Sequence, residues 1–292
     1  MTTILITGGT GLVGQLLESK LSQKNYKVRI LTRTPKRKNE FSWDISKKYI
    51  DEKALENLDF VIHLAGAGIA DKRWSPKRKQ EIIESRTTST NLVQSYIKKH
   101  KIPLRGFISA SAIGYYGAVT SETIFEETDK AADDFLGKVC QLWEKSVLEF
   151  NKIEIPTTIL RLGIVLSKKG GALEKMKTPI VSPIATGKQF IPWIHIEDVV
   201  DLFIYSLENN ITGIYNAVAP ETQTSFSFSK LIAKKTKRPF LPIGVPTFIL
   251  KLALGELSII LTTGSRVSSK KITKAGFKFT HTKLKESLDS LV

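Results

Sequence analysis

Cysteine is nearly absent from this 292-residue chain: Cys140 stands alone, so no internal disulfide can form and burial of a core has to hold the fold. A single thiol suits a reducing compartment. No apolar run approaches the roughly 20 residues that a bilayer-spanning helix needs. The apolar stretch at the N-terminus is only a strand long, which predicts no signal peptide and a cytoplasmic protein. Acids are scarce beside bases, 28 against 44, leaving a formal net charge of +16. The bases are scattered, with only short clusters such as Lys36-Arg37-Lys38 and Lys234-Lys235, and no basic stripe alternates with stacking aromatics. Nucleic acid, suggested by net charge alone, is therefore not expected as a partner, and neither is a membrane. A lysine-rich surface and an anionic small ligand account for the charge. No His, Cys and carboxylate set has metal-ligand spacing, so no metal is expected. Internal repeats and disordered linkers are missing as well.

What is present is organised around Thr7-Gly8-Gly9-Thr10-Gly11-Leu12-Val13-Gly14, which joins the apolar Ile4-Leu5-Ile6 to a helix with an apolar face of Leu12, Val13, Leu16, Leu17 and Leu21. A glycine-rich turn between strand and helix leaves N–H groups unpaired at the positive helix end, where a pyrophosphate can settle. Gly8 permits the tight turn, Gly11 lets backbone approach the ligand, and Gly14 lets the helix pack close to the strand. The next strand, residues 27–32, ends at Thr32-Arg33. An acid about 20 residues past the glycines would bond a ribose 2′-hydroxyl, whereas a basic residue accommodates a 2′-phosphate. Arg33, followed by Lys36 and Arg37, favours NADP over NAD; the other reading is a solvent-exposed cap on a strand edge.

Beyond this, a short element near residues 41–44 and a polar helix near 51–57 precede a buried strand at 59–64, which opens into Ala65-Gly66-Ala67-Gly68. His63 reads as a packed histidine. A long helix is predicted over 76–99, with Trp74, Glu81 and Arg86 placed to face a cofactor. A strand at 106–110 leads into Ser111-Ala112-Ile113-Gly114-Tyr115-Tyr116-Gly117. A helix at 134–150, a strand at 157–162, a glycine loop at 170–171, the segment 190–200 that introduces another helix, and a strand at 213–220 follow. Alternating strands and helices predict an α/β protein with a doubly wound parallel Rossmann sheet and a smaller, mainly helical C-terminal substrate lobe. We assign 1–220 to the Rossmann domain, with an excursion at about 168–192, and 221–292 to the C-terminal lobe.

TGGTGLVG, HLAGAG, SASAIGYYG, LRLGIVLS, FIPWIHIEDVV and YNAVAP together resemble the extended short-chain dehydrogenase/reductase superfamily. Arg73-Trp74, Glu84-Ser85-Arg86, Trp143-Glu144, Gly170-Gly171-Ala172-Leu173, Trp193-Ile194-His195 and Gly276-Phe277-Lys278-Phe279 narrow this to the atypical "epimerase family" proteins, nucleoside-diphosphate-sugar epimerase-like or cell-division-inhibitor-like. The resemblance implies a family-specific C-terminal domain over about 245–292. Together with the turn, it sets the cofactor-binding candidates at Gly8, Thr10, Gly11, Leu12, Val13, Gly14, Thr32, Arg33, Leu64, Ala65, Gly66, Glu81, Arg86, Ser109 and Val165.

Such proteins are expected to carry a serine and a YxxxK pair on one helix face, the lysine lowering the tyrosine pKa for proton exchange. Ser111 fits the serine. Aligning Glu144 places Leu136 where the tyrosine should be and Cys140 where the lysine should be. Tyr115 or Tyr116 could supply the acid, with Lys138 a distant cation, or both tyrosines could be packing groups. Cys140 reads as a small buried residue rather than a nucleophile. His195 and Asp198 are read as fixing a loop and starting a helix. Arg161 is read as meeting a phosphate or anchoring the sheet edge, and Asn216 as bonding neighbouring backbone. The resulting expectation is an NADP(H)-dependent oxidoreductase or epimerase acting on a small carbonyl, alcohol or nucleotide-sugar-like substrate. The alternative is a cofactor-responsive binding or regulatory protein that has lost catalysis. A homodimer is left open.

Overall fold

The structure, a computed structural model, describes residues 1–292. In chain order the elements are β1 (Thr3–Thr7), α1 (Leu12–Gln23), β2 (Lys27–Thr32), β3 (Glu40–Asp44), β4 (Tyr49–Ile50), β5 (Phe60–His63), α2 (Pro76–Lys99), β6 (Gly106–Ala112), β7 (Ile124–Phe125) and α3 (Phe135–Leu148). There follow β8 (Thr157–Leu162), β9 (Ile164–Ser167), β10 (Gly170–Gly171), α4 (Ala172–Met176), β11 (Trp193–His195), α5 (Ile196–Glu208), β12 (Gly213–Ala217) and α6 (Ser225–Thr236). The chain ends with α7 (Thr247–Leu254), α8 (Ile259–Thr262), β13 (Arg266–Val267), α9 (Lys270–Lys274) and α10 (Leu284–Leu291).

Eight strands form the central sheet in the order β12-β8-β6-β5-β1-β2-β3-β4, with every neighbouring pair parallel except β3 and β4. Strand order therefore runs outward in both directions from β1, and the reversal falls between β1 and β5. Carboxyl ends of strands at such a switch point leave a crevice for ligands. β1 and β5 are buried along their whole length, as sheet interiors covered by helices on both faces require.

Local chemistry starts the helices where the sequence suggests. Ser75 caps α2 by accepting from Arg78 N, with Pro76 in the first turn; Asp134 caps α3 by accepting from Gly137 N. Two expectations are corrected. The polar helix at 51–57 is a single 3-10 turn over Glu52–Leu55, because Asn57 turns left-handed at φ 49 and breaks it. The mainly helical C-terminal portion also contributes a short strand, β13, paired in parallel with β7. The 170–171 loop is a short strand paired antiparallel with β9, and its hairpin folds back over the head of α1.

The main core fills both faces of the sheet. A second apolar cluster, with Trp193, Phe228, Ile232, Leu284 and Leu288, sits between the 164–195 segment and the last helices. Asp198 does more than favour the first turn of α5. Its two carboxylate oxygens accept from Thr280 N at 2.9 Å and His281 N at 3.0 Å, so the buried acid ties the chain's last segment to the sheet domain. No helix is long and apolar enough to cross a membrane.

His63, fully buried in β5, shows how polar groups are accommodated here. Its Nδ1 bonds the Thr7 hydroxyl at 2.8 Å, and its Nε2 bonds Thr90 at 3.1 Å and Ser89 at 3.3 Å. The latter two hydroxyls already donate to carbonyls of α2, so they accept from Nε2–H and the ring is neutral. Burial, with the Arg86 charge adding, lowers its pKa from 6.5 to about 3. The unfolded chain thus binds the extra proton first: this contribution is complete above pH 6.5 and is lost as pH falls toward 3. Urea denaturation of the wild type should lose about 1.4 kcal/mol per pH unit across that window from this group, and the His63→Gln variant should show a correspondingly flatter dependence. Equal slopes would refute the assignment.

Candidate functional site

The β1–α1 turn is built on contacts that only glycine allows. Gly8 has φ +71, and a Cβ there would lie 2.8 Å from Leu64 C; a Cβ on Gly14 would lie 2.5 Å from Gly9 Cα. Gly11 N donates to Gly8 O at 3.1 Å, whereas the N–H groups of Gly9, Thr10, Leu12, Val13 and Gly14 have no acceptor in the chain. The first turn of α1 has neither a side-chain cap nor an acid. A positive helix end with open donors and no competing carboxylate is an anion site by construction.

Around this turn the structure gathers several of the candidates. Leu64 and Ala65 follow β5 directly opposite Gly8, and Ala65 N donates to Thr7 Oγ1 at 3.3 Å. Arg86 lies beneath Gly66, where a Cβ would approach its guanidinium carbon to 3.1 Å. Its Nη1 donates to Ile82 O at 2.8 Å, its face stacks over Trp143 at 5.0 Å, and no carboxylate pairs with it; burial lowers its pKa. Gly171 sits 3.5 Å from Leu12 when given a Cβ, which brings Val165 on the neighbouring β9 toward the turn.

At the end of β2, Thr32 is half-buried and Arg33 is exposed with no ionic partner. Arg37, by contrast, is held by Glu18 at 2.9 Å and Glu40 at 2.8 Å. Glu81 is exposed and pairs with Arg78 at 2.8 Å. Ser109 is buried within β6 and donates to Ala110 O.

At the carboxyl ends of β6, β8 and β12 lies a buried polar network. Ser111 Oγ donates to Glu144 Oε1 at 2.7 Å, and Arg161 grips the same carboxylate through Nε and Nη2, both at 2.9 Å. Arg161 Nη1 donates to the Tyr116 hydroxyl at 2.9 Å, which donates to Asn216 Oδ1 at 2.7 Å. Burial pushes the Tyr116 phenol up to about 12. Burial also opposes the Arg161 charge, but Glu144 outweighs it and raises the guanidinium pKa. Arg161 thus anchors the sheet edge, and Asn216 bonds a side chain rather than local backbone. Tyr115 lies half-exposed with its ring 3.4 Å from the Arg161 guanidinium carbon, and its hydroxyl has no partner in the chain. Cys140 is packed beside Ala112 O, and burial, reinforced by Glu144, pushes its thiol up to about 12.

Leu136 faces a cavity of about 570 Å³, whose walls are Trp74, Phe135 and Leu136 on one side and Thr247, Lys251 and Ile259 on the other. Arg73 and Lys79 latch the two sides. Arg73 donates to the carbonyls of Leu252 and Ala253 at the end of α7, and Lys79 pairs with Glu256. Sequence reading missed the ionic role of Glu144. The available signal was an acid among Cys140, Trp143 and Val147 on the buried face of α3. It also found no metal-ligand set, yet the fold brings His195, Glu197 and His281 within 4.8 Å of one another. Both nitrogens of His195 are engaged there, Nδ1 accepting from Glu197 N and Nε2 bonding Ser290, and its ring stacks on His281 at 3.5 Å.

Residues 4–217 match the family model described as the NAD dependent epimerase/dehydratase family, and residues 245–291 match a domain of unknown function, DUF1731. The chain is 37% identical over 300 residues to Epimerase family protein YfhF of Bacillus subtilis, covering 99% of this chain and 97% of that protein. It is 32% identical to Epimerase family protein SH2119 of Staphylococcus haemolyticus, over 100% of this chain and 99% of that one. Among solved structures, the human epimerase family protein SDR39U1 (isoform2), with NADPH, superposes with a TM-score of 0.87 at 26% identity, covering 99% of each chain. A nucleoside-diphosphate sugar epimerase of Corynebacterium glutamicum shares the fold with a TM-score of 0.79 at 24% identity, over 98% of this chain and 57% of that one.

Removing the Glu144 charge leaves Arg161 buried without its counterion. The Glu144→Gln variant should lose about 3–5 kcal/mol of stability in urea denaturation; a loss below about 1 kcal/mol, the size of an exposed pair, would refute the role assigned to the pair.

Proposed function

The chain belongs to the NAD dependent epimerase/dehydratase family, and from that premise we propose that it binds NADP(H) and acts as an oxidoreductase or epimerase on a small carbonyl or alcohol substrate. The observation that carries this reading is the uncapped, acid-free turn at the switch point, combined with the uncommitted Arg33 at the end of β2. Gly8 to Gly14 would hold the pyrophosphate, Arg33 the 2′-phosphate, and the Leu64–Gly66 backbone and Arg86 the remainder. The NADPH in the human relative's structure supports the choice of dinucleotide.

A bound nicotinamide dinucleotide supplies hydride exchange with a carbon bearing oxygen. The proton for that oxygen has to come from the chain or from water. With Leu136 unable to donate and Tyr116 closed into the network, Tyr115 is the group that fits, held on the Arg161 face with its hydroxyl unpaired. Ser111 acts by fixing Glu144, so we assign it positioning rather than substrate contact.

The second reading, a dinucleotide-responsive binding protein without turnover, is favoured by one observation: Leu136 and Cys140 stand on α3 where the proton-exchanging tyrosine and its lysine would be.

Arg33→Ala should weaken NADPH binding by about 1.5–3 kcal/mol, roughly ten- to 150-fold, and leave NADH binding unchanged. Fluorescence titration with each cofactor checks this, and equal losses would refute it. Tyr115→Phe should lower kcat about a hundredfold at unchanged NADPH affinity; no turnover by the wild-type protein on any carbonyl or nucleotide-sugar substrate would favour the second reading.

A further inference from the structure

The cavity beside Leu136 has its own chemistry. Its volume, about 570 Å³, lies within the range of small-molecule sites. Trp74 and Phe135 meet edge to face at 4.8 Å and, with Leu136 and Ile259, make the body of its wall apolar. Charged groups around it are already committed. Asp134 accepts from Gly137 N at 2.8 Å and Ala118 N at 2.6 Å. Glu256 is neutralised by Lys79, whose ammonium also lies 5.2 Å from the centre of the Phe135 ring. Arg73, on the same loop as Trp74, is consumed by the carbonyls that end α7. Only Lys251, exposed at the rim, has no partner.

A diphosphate entering such a space would exchange water for hydrocarbon over most of the wall, with no arginine open to it and only the exposed Lys251 and the uncapped first turn of α7 at Thr247 to receive it. Burying that much charge against so few paired donors is costly. An apolar ring system, by contrast, gains from each surface it covers and from edge and face contacts with Trp74 and Phe135.

We propose that this cavity takes an uncharged, ring-bearing apolar carbonyl compound, and not a nucleotide sugar. The assignment rests on the function proposed above only in that the compound's carbonyl is what the dinucleotide would meet. Ligand selection is the work of the cavity alone. It also gives Leu136 a purpose, since a tyrosine hydroxyl at that position would put a polar group on the apolar wall.

The test uses the full chain with saturating NADPH and 1-tetralone, a bicyclic ketone, as the probe, with binding measured by calorimetry and by quenching of tryptophan fluorescence. Trp74 is half-exposed while Trp43, Trp143 and Trp193 are buried, so the Trp74→Phe variant should abolish the quench. Ile259→Asp, at a side chain already 37% exposed, should fold normally and weaken tetralone binding roughly tenfold or more. Leu136→Asn should act in the same direction, and UDP-glucose should not compete. Competition by UDP-glucose, no binding of tetralone, or equal binding to wild type and Ile259→Asp would each overturn the proposal. NADPH affinity is read separately from its own fluorescence. Tetralone binding that is lost in Ile259→Asp, in a protein that does not take NADPH, would sustain the cavity assignment and remove the cofactor reading.

Discussion

The pairing of Arg161 with Glu144 is the interaction on which the carboxyl edge of the sheet depends. Both groups are buried, and neither charge would be stable there without the other. The pair joins β8 to α3, takes Ser111 from β6 as a further donor, and reaches β12 through Tyr116 and Asn216. Its remaining face carries the Tyr115 ring. A single guanidinium therefore sets where the end of β6 runs and which tyrosine is left with an open hydroxyl.

Across the crevice the organising principle changes from charge to space. Gly8, Gly9 and Gly14 bring strand, turn and helix so close that no side chain fits between them, and the open N–H groups of the turn are a by-product of that proximity. The site consequently has two halves of opposite character. One half is electropositive and made of backbone, and the other is apolar and made of Trp74, Phe135, Leu136 and Ile259. The latch of Arg73 and Lys79 holds the second half in place while consuming the cations that would have changed its polarity.

The glycine turn, the parallel alternation and the long helices were legible in the sequence because each depends on neighbours within a few residues: Ser75 and Asp134 cap their own helices, and Pro76 starts one. The departures lie where tertiary context decides. Nothing near Glu144 announces a partner 17 residues on, and its only local trace is an acid on an apolar helix face. Arg33 and Arg37 look equivalent in the chain, yet the approach of Glu18 and Glu40 commits one and leaves the other open. Asn216 and Asp198 look like local bonding groups in the sequence because short polar side chains usually satisfy nearby backbone; the fold instead gives them partners about 80 to 100 positions away.

The clasp of Asp198 on the backbone of Thr280 and His281 bears on inheritance. Here the sheet's own helix carries an acid whose hydrogen-bond donors lie in the last segment of the chain, so a lobe of another family grafted after β12 would strand a carboxylate in the interior. The two parts of the molecule are for that reason not interchangeable modules, and a change in the helix-starting motif of one would have to be matched by a change in the tail of the other.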